Sequence, residues 1–289
     1  MEIGGRCLTN GWSVIAAAPT NSQLAGVLAG FVFTAMIILF ARSGQANTKT
    51  LGLFSSAFVV LAFDSYLFSF IAGGSSDPLC RRVWTESMAA RGMLAVGATA
   101  LVSGIAWLLA NYTQTENSSA QAVGGAGVRT LNLQKLAQFL VLGVAAGVTL
   151  LLGMTTLNYV YVVMERRPPA QWVLLAYVIP LAVVVMAAIL NRGRVQRLRR
   201  YGEAGRDALP ARSLSAAIFC TASYGIVGPV FVGAITNIGD EPFVNPSWGL
   251  TVLAISIGFL VPVILIVLLV YAIPRTRVPS RREGGPRSK

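Results

Sequence analysis

Seven stretches of this chain are each long and apolar enough to cross a bilayer, and they take up most of its 289 residues. A spanning helix needs about 20 consecutive, mostly apolar residues. Such runs fall at 22–42, 51–73, 84–111, 133–164, 171–191, 213–237 and 248–274. In hydrocarbon every backbone N–H and C=O must be satisfied within the protein, which leaves helices or closed barrels. The residue alternation of a barrel strand is absent, so the expected fold is all-α: a polytopic integral membrane protein with seven transmembrane helices. Charge supports lipid as the solvent. Only 12% of residues are Asp, Glu, Lys or Arg, against about 25% in ordinary soluble domains.

The net charge of +12 is a matter of placement. The connector after the fifth run holds Arg192, Arg194, Arg197, Arg199, Arg200, Arg206 and Arg212, and the tail holds Arg275, Arg277, Arg281, Arg282, Arg287 and Lys289. Cytoplasmic loops of membrane proteins concentrate Lys and Arg, so both segments are expected inside. The connector after the sixth run, with Asp240 and Glu241, is expected outside. Arg81, Arg82, Arg166 and Arg167 fall outside against the trend. The reading is N-terminus out and C-terminus in, with an external N-terminal segment at 1–21, a seven-helix domain at 22–274 and a basic cytoplasmic tail at 275–289. The partners this implies are membrane lipids, whose anionic headgroups meet the basic loop and tail, and not nucleic acid. Lysine stands only at Lys49, Lys135 and Lys289. That arginine bias suits a GC-rich bacterial genome, and the expected location is a bacterial plasma membrane.

Histidine is absent. Imidazole-based haem ligation, HExxH zinc chemistry and Ser-His catalysis are therefore excluded. The last run contains no lysine to form a retinal Schiff base. No cofactor is expected, no metal site is legible, and no catalytic constellation survives; the chain reads as a non-enzyme.

Polar residues inside the runs carry what remains. Asp64 lies in the second run and Arg91 in the third, where a charge near the bilayer centre costs about 2.5–3.5 kcal/mol on insertion scales. Each sits roughly 10–12 Å from the shared connector at 1.5 Å per residue, so an Asp64–Arg91 ion pair is expected. Glu86 competes for Arg91, although Arg82, four residues before it, suits it better. Two readings of the pair stand. It forms the floor of an outward-facing polar cavity for a small solute, joined by Asn158, Tyr159, Tyr161, Tyr224 and Asn237, or it pins two helices together. Pro180, Pro229 and Pro262 are expected to interrupt the later helices, above all at Gly225–Pro229. Gly26/Gly30 and Gly143/Gly147 form GxxxG pairs, which let helices pack closely and fit a membrane-protein partner. They also open two three-span halves with the geometry of an inverted repeat. Cys7 and Cys80 both fall outside, where an oxidising medium permits a disulfide.

Overall fold

The computed structural model describes residues 8–9, 12–41, 48–74, 80–120, 127–164, 170–198, 208–238, 241–244 and 247–272. Among them, seven helices are long and apolar enough to cross a membrane: Val14–Ala41, Thr48–Ala72, Cys80–Ala110, Leu136–Val163, Gln171–Leu190, Ser213–Asn237 and Trp248–Tyr271. They are spans one to seven below. Several run on past the apolar part, span three to Ala120 and span four from Gly127 to Met164. A small antiparallel pairing of Leu8–Thr9 with Trp12–Ser13 precedes span one. The end of the bundle beside it is the hairpin end, and the end from which the arginine-rich connector and tail emerge is the basic end.

Span one starts at Val14, well before the expected residue 22. Val14 and Ala18 are buried in a core cluster with Phe68, Trp84 and Met88. Ser22, just beyond this stretch, is bonded to span two. The Ser22 hydroxyl donates to the Ser65 carbonyl at 2.9 Å, and the Ser65 hydroxyl donates to the Ser22 carbonyl at 2.9 Å. Ser22 Oγ also lies 2.7 Å from Ser69 Oγ. Gly26 keeps the two helices close, since a Cβ there would stand 3.2 Å from Ser65 Oγ. Interhelical hydrogen bonds of this kind contribute about 0.6 kcal/mol each in a membrane. Residues 14–21 thus belong to the first helix.

Span three is the centre of the bundle. It packs against spans one, two, four, six and seven, and it is the most buried of the seven. Span two also packs along span six, and span seven bridges spans three, five and six. Spans five and six share no extended contact, so spans four to six do not repeat the packing of spans one to three. The paired GxxxG segments do not mark an inverted repeat.

The prolines act differently from expectation. Pro229 lies inside an uninterrupted α-helix, Ala208–Asn237. Spans five and seven instead carry a π-helical turn just before their proline, at Leu174–Val178 before Pro180 and at Ser256–Leu260 before Pro262. Proline has no N–H for the carbonyl four residues back. The wider turn ends at the residue before the proline, with the Ile179 N–H donating to the Leu174 carbonyl and the Val261 N–H to the Ser256 carbonyl. The carbonyls deprived by Pro180 and Pro262 are those of Ala176 and Gly258. Each faces a glycine on a neighbouring helix, Ala176 at Gly153 and Gly258 at Gly92.

Candidate functional site

Span two meets span three in a register that decides the fate of its carboxylate. A Cβ on Gly97 would stand 2.7 Å from Leu61 Cγ, and one on Gly104 would stand 2.8 Å from Phe54 Cε1. That register puts Leu94, not Arg91, opposite Asp64. The Cα–Cβ bonds of a helix tilt toward its own N-terminus. Because spans two and three are antiparallel, the side chains of Asp64 and Arg91 then diverge, the first toward the basic end and the second toward the hairpin end.

The expected Asp64–Arg91 ion pair accordingly does not form. Asp64 is 0% exposed, and neither of its carboxylate oxygens has a hydrogen-bond partner. The Arg91 guanidinium climbs toward the hairpin end. It lies 5.8 Å from the Trp84 ring centroid and donates to Thr155 Oγ1 of span four at 3.2 Å. This stacking over an aromatic face is itself favourable. Glu86 belongs to a third group: Arg82 Nε donates to Glu86 Oε1 at 3.2 Å, and Arg82 also donates to the Thr236 carbonyl at the end of span six. Arg81 donates to the Phe243 carbonyl at 3.3 Å. The two arginines that looked misplaced outside thus tie the start of span three to the end of span six and the turn beyond it.

The tyrosines divide in the same way. Tyr159 is buried at the hairpin end, with its hydroxyl accepting from Thr85 Oγ1 at 3.4 Å. Tyr224 is buried in span six and makes no hydrogen bond to Asp64. Its hydroxyl donates elsewhere, to the Ile257 carbonyl at 2.9 Å in the π-turn of span seven. It also fills the space beside Gly92, where a Cβ would be 2.6 Å from the Tyr224 oxygen, 2.8 Å from Pro262 Cγ and 2.9 Å from the Gly258 carbonyl oxygen. Spans three, six and seven therefore touch at this one level. Asn158 and Tyr161 are half-buried in span four. Asn237 is exposed, and its amide caps its own helix by donating to the Gly233 carbonyl at 2.7 Å.

The expected single cavity is thus three separate polar groups: Asp64 without a hydrogen-bond partner, Arg91 with Thr155 and Trp84, and Glu86 with Arg82. Asp64 floors no open cavity, being fully enclosed. The sequence reading passed over Ser103 and Thr221, whose hydroxyls are buried without partners. A helical hydroxyl normally bonds the carbonyl one turn back, as Thr99 does with Ala95 at 2.7 Å. Nothing in the residue type distinguishes the exceptions.

Cys80 is disulfide-bonded and Cys220 is free. Cys7, the expected partner of Cys80, lies outside the described residues, as do the basic tail and residues 199–207 of the basic connector. No protein-family model, curated protein or solved structure matches the chain.

Proposed function

We propose that this multi-pass membrane protein resides in a bacterial plasma membrane, N-terminus out and C-terminus in, and binds or carries a small solute through a polar centre at Asp64. The observation that carries this reading is the state of that carboxylate. It is wholly enclosed, engaged by no donor, and placed where leucine would be cheaper. Ionisable residues kept at such a cost inside a bilayer mark solute and ion paths. The site now centres on Asp64 and Tyr224 between spans two, three, six and seven. Arg91, Thr155 and Asn158 lie toward the hairpin end, where a charged solute group would first meet the protein. Enclosure on all sides fits an occluded state, and the π-turns of spans five and seven supply helix segments able to rearrange. The reading includes a Cys7–Cys80 disulfide, supported by Cys80 being bonded and Cys220 free in a chain of three cysteines. That bond would hold the N-terminal segment at the hairpin end.

The test is a thermal-stability screen of purified protein with amino acids, sugars, small carboxylates and monovalent cations, run on wild type and Asp64→Asn. A compound that stabilises wild type and loses its effect in the variant supports the reading. Compounds that stabilise both proteins equally, or none at all, defeat it.

One observation favours a second reading, an interaction subunit with no ligand of its own. Gly143 and Gly147 of span four have nothing within 4 Å of an added Cβ, and Phe139, Leu140, Leu150 and Leu151 around them are exposed. A stoichiometric membrane partner co-purifying with wild type and lost on Gly143→Leu would favour it over solute binding.

A further inference from the structure

We propose that Asp64 is a proton-binding site, loaded and unloaded from the basic end of the bundle along a path marked by Thr221 and Ser103. The inference rests on the reading of Asp64 as the working residue of the chain, and it names the ligand class: a proton, delivered by water.

The first argument is what can satisfy the carboxylate. An ionised carboxylate without donors is too costly to keep in an apolar interior. It must take a proton or a cation. A cation would need several further oxygens close around it. The residues one turn to either side of Asp64 are Val60, Leu61, Leu67 and Phe68, all buried and apolar. Of the titratable residues on the packed helices, Glu86 is held by Arg82, Arg91 by Thr155, and Cys220 is a thiol of span six. The described part of span one has none. Tyr224, buried in span six, already donates to Ile257. A proton needs only one acceptor for its O–H. Gly225 offers a candidate, since Pro229 deprives its carbonyl of the usual donor and Gly225 packs on Val60, one turn from Asp64.

The second argument gives the direction. Among the described residues, buried side-chain atoms without hydrogen-bond partners include the Ser103 and Thr221 hydroxyls and the Trp84 indole N–H. Trp84 lies toward the hairpin end, but an indole only donates and cannot pass a proton on. Hydroxyls donate and accept. Thr221 lies one turn before Gly225, and Ser103 adjoins Gly104, which packs on Phe54. Both are therefore on the basic side of Asp64, on the two helices that flank it. Unsatisfied hydroxyls are where entering water would be held, and roughly 12 Å of helix at 1.5 Å per residue separates them from the carboxyl. Loading forms one O–H bond on Asp64 from a water-borne proton, and unloading returns that proton to water.

The test uses the full chain in nanodiscs. Dicyclohexylcarbodiimide attacks protonated carboxyls in apolar surroundings, so mass spectrometry should find its adduct on the Asp64 peptide. Labelling should decline as pH rises and should be indifferent to added sodium. The infrared C=O stretch of a protonated carboxyl should be present in wild type and absent in Asp64→Asn. Its shift on transfer to heavy water should slow several-fold in Thr221→Val and Ser103→Ala. No adduct at any pH, or protection by sodium, overturns the proton site; unchanged exchange in both hydroxyl variants overturns the path. Solute binding that survives Asp64→Asn while acid-dependent labelling of wild type persists would defeat the proposed function and leave this inference standing.

Discussion

Replacing Asp64 by leucine should make this protein more stable. Both carboxylate oxygens are buried without a partner, and an unsatisfied buried acceptor costs about 1–3 kcal/mol. Leucine removes that cost and keeps the branched outline of the side chain among Val60, Leu61, Leu67 and Phe68; its two methyls are larger than the oxygens they replace, which offsets part of the gain, so Asp64→Leu should gain up to about 1–3 kcal/mol. Arg91→Met should lose its bond to Thr155, about 0.6 kcal/mol, and its contact with Trp84, about 0.5–1 kcal/mol. The two sites share no partner, so the double variant should equal the sum of the singles within about 0.5 kcal/mol. Unfolding in mixed micelles of rising dodecyl sulfate content, followed by circular dichroism, gives all four stabilities. A buried ion pair predicts the reverse. Breaking it would cost about 3–5 kcal/mol, and the cycle would show strong coupling. Destabilisation by Asp64→Leu of that size, or a coupling above about 1 kcal/mol, would refute the argument from register and side-chain direction.

Gly92→Ala should destabilise by about 1–3 kcal/mol, because its Cβ would meet Tyr224, Pro262 and the Gly258 carbonyl at 2.6–2.9 Å; Gly143→Ala and Gly147→Ala, with nothing within 4 Å, should leave the stability of the monomer unchanged or slightly raised in the same assay. Arg82→Met should cost about 1.5–3 kcal/mol by leaving Glu86, 5% exposed, without its donor. Adding Glu86→Gln should restore part of that loss, and a double variant no more stable than Arg82→Met would count against the pairing. Alkylation of the denatured chain should add one label without reductant and three after reduction, since Cys220 is free and Cys80 is bonded; three labels without reductant would show that the bond is not there.

The seven spans are legible because a run of about 20 apolar residues has few other fates. The start of span one is not. The apolar run from Val14 to Ala18 is too short to read as part of a span, and only the structure shows Ser22 bonded to Ser65 and Ser69 on the next helix. Depth counting put Asp64 and Arg91 at one level from the shared connector. It could not supply the Leu61–Gly97 register or the opposite tilt of side chains on antiparallel helices, and those two facts separate the charges. Proline positions were visible, but not their consequences. Pro229 lies within an unbroken α-helix, whereas Pro180 and Pro262 each follow a small residue, an aromatic and two aliphatics and sit just beyond a π-turn. That shared pattern, Ala176 to Pro180 and Gly258 to Pro262, is in the sequence and reads as a signal once the turns are seen.

The account depends most on seven crossings of a bilayer, with the arginine-rich connector and tail on the inner face. Fusing a reporter active only in the periplasm, and another active only in the cytosol, at each connector and at the C-terminus tests this directly. The periplasmic reporter should work at the connectors after spans two, four and six, and the cytosolic one after spans one, three and five and at the tail. Periplasmic activity at the tail, or one reporter working at two successive connectors, would contradict it.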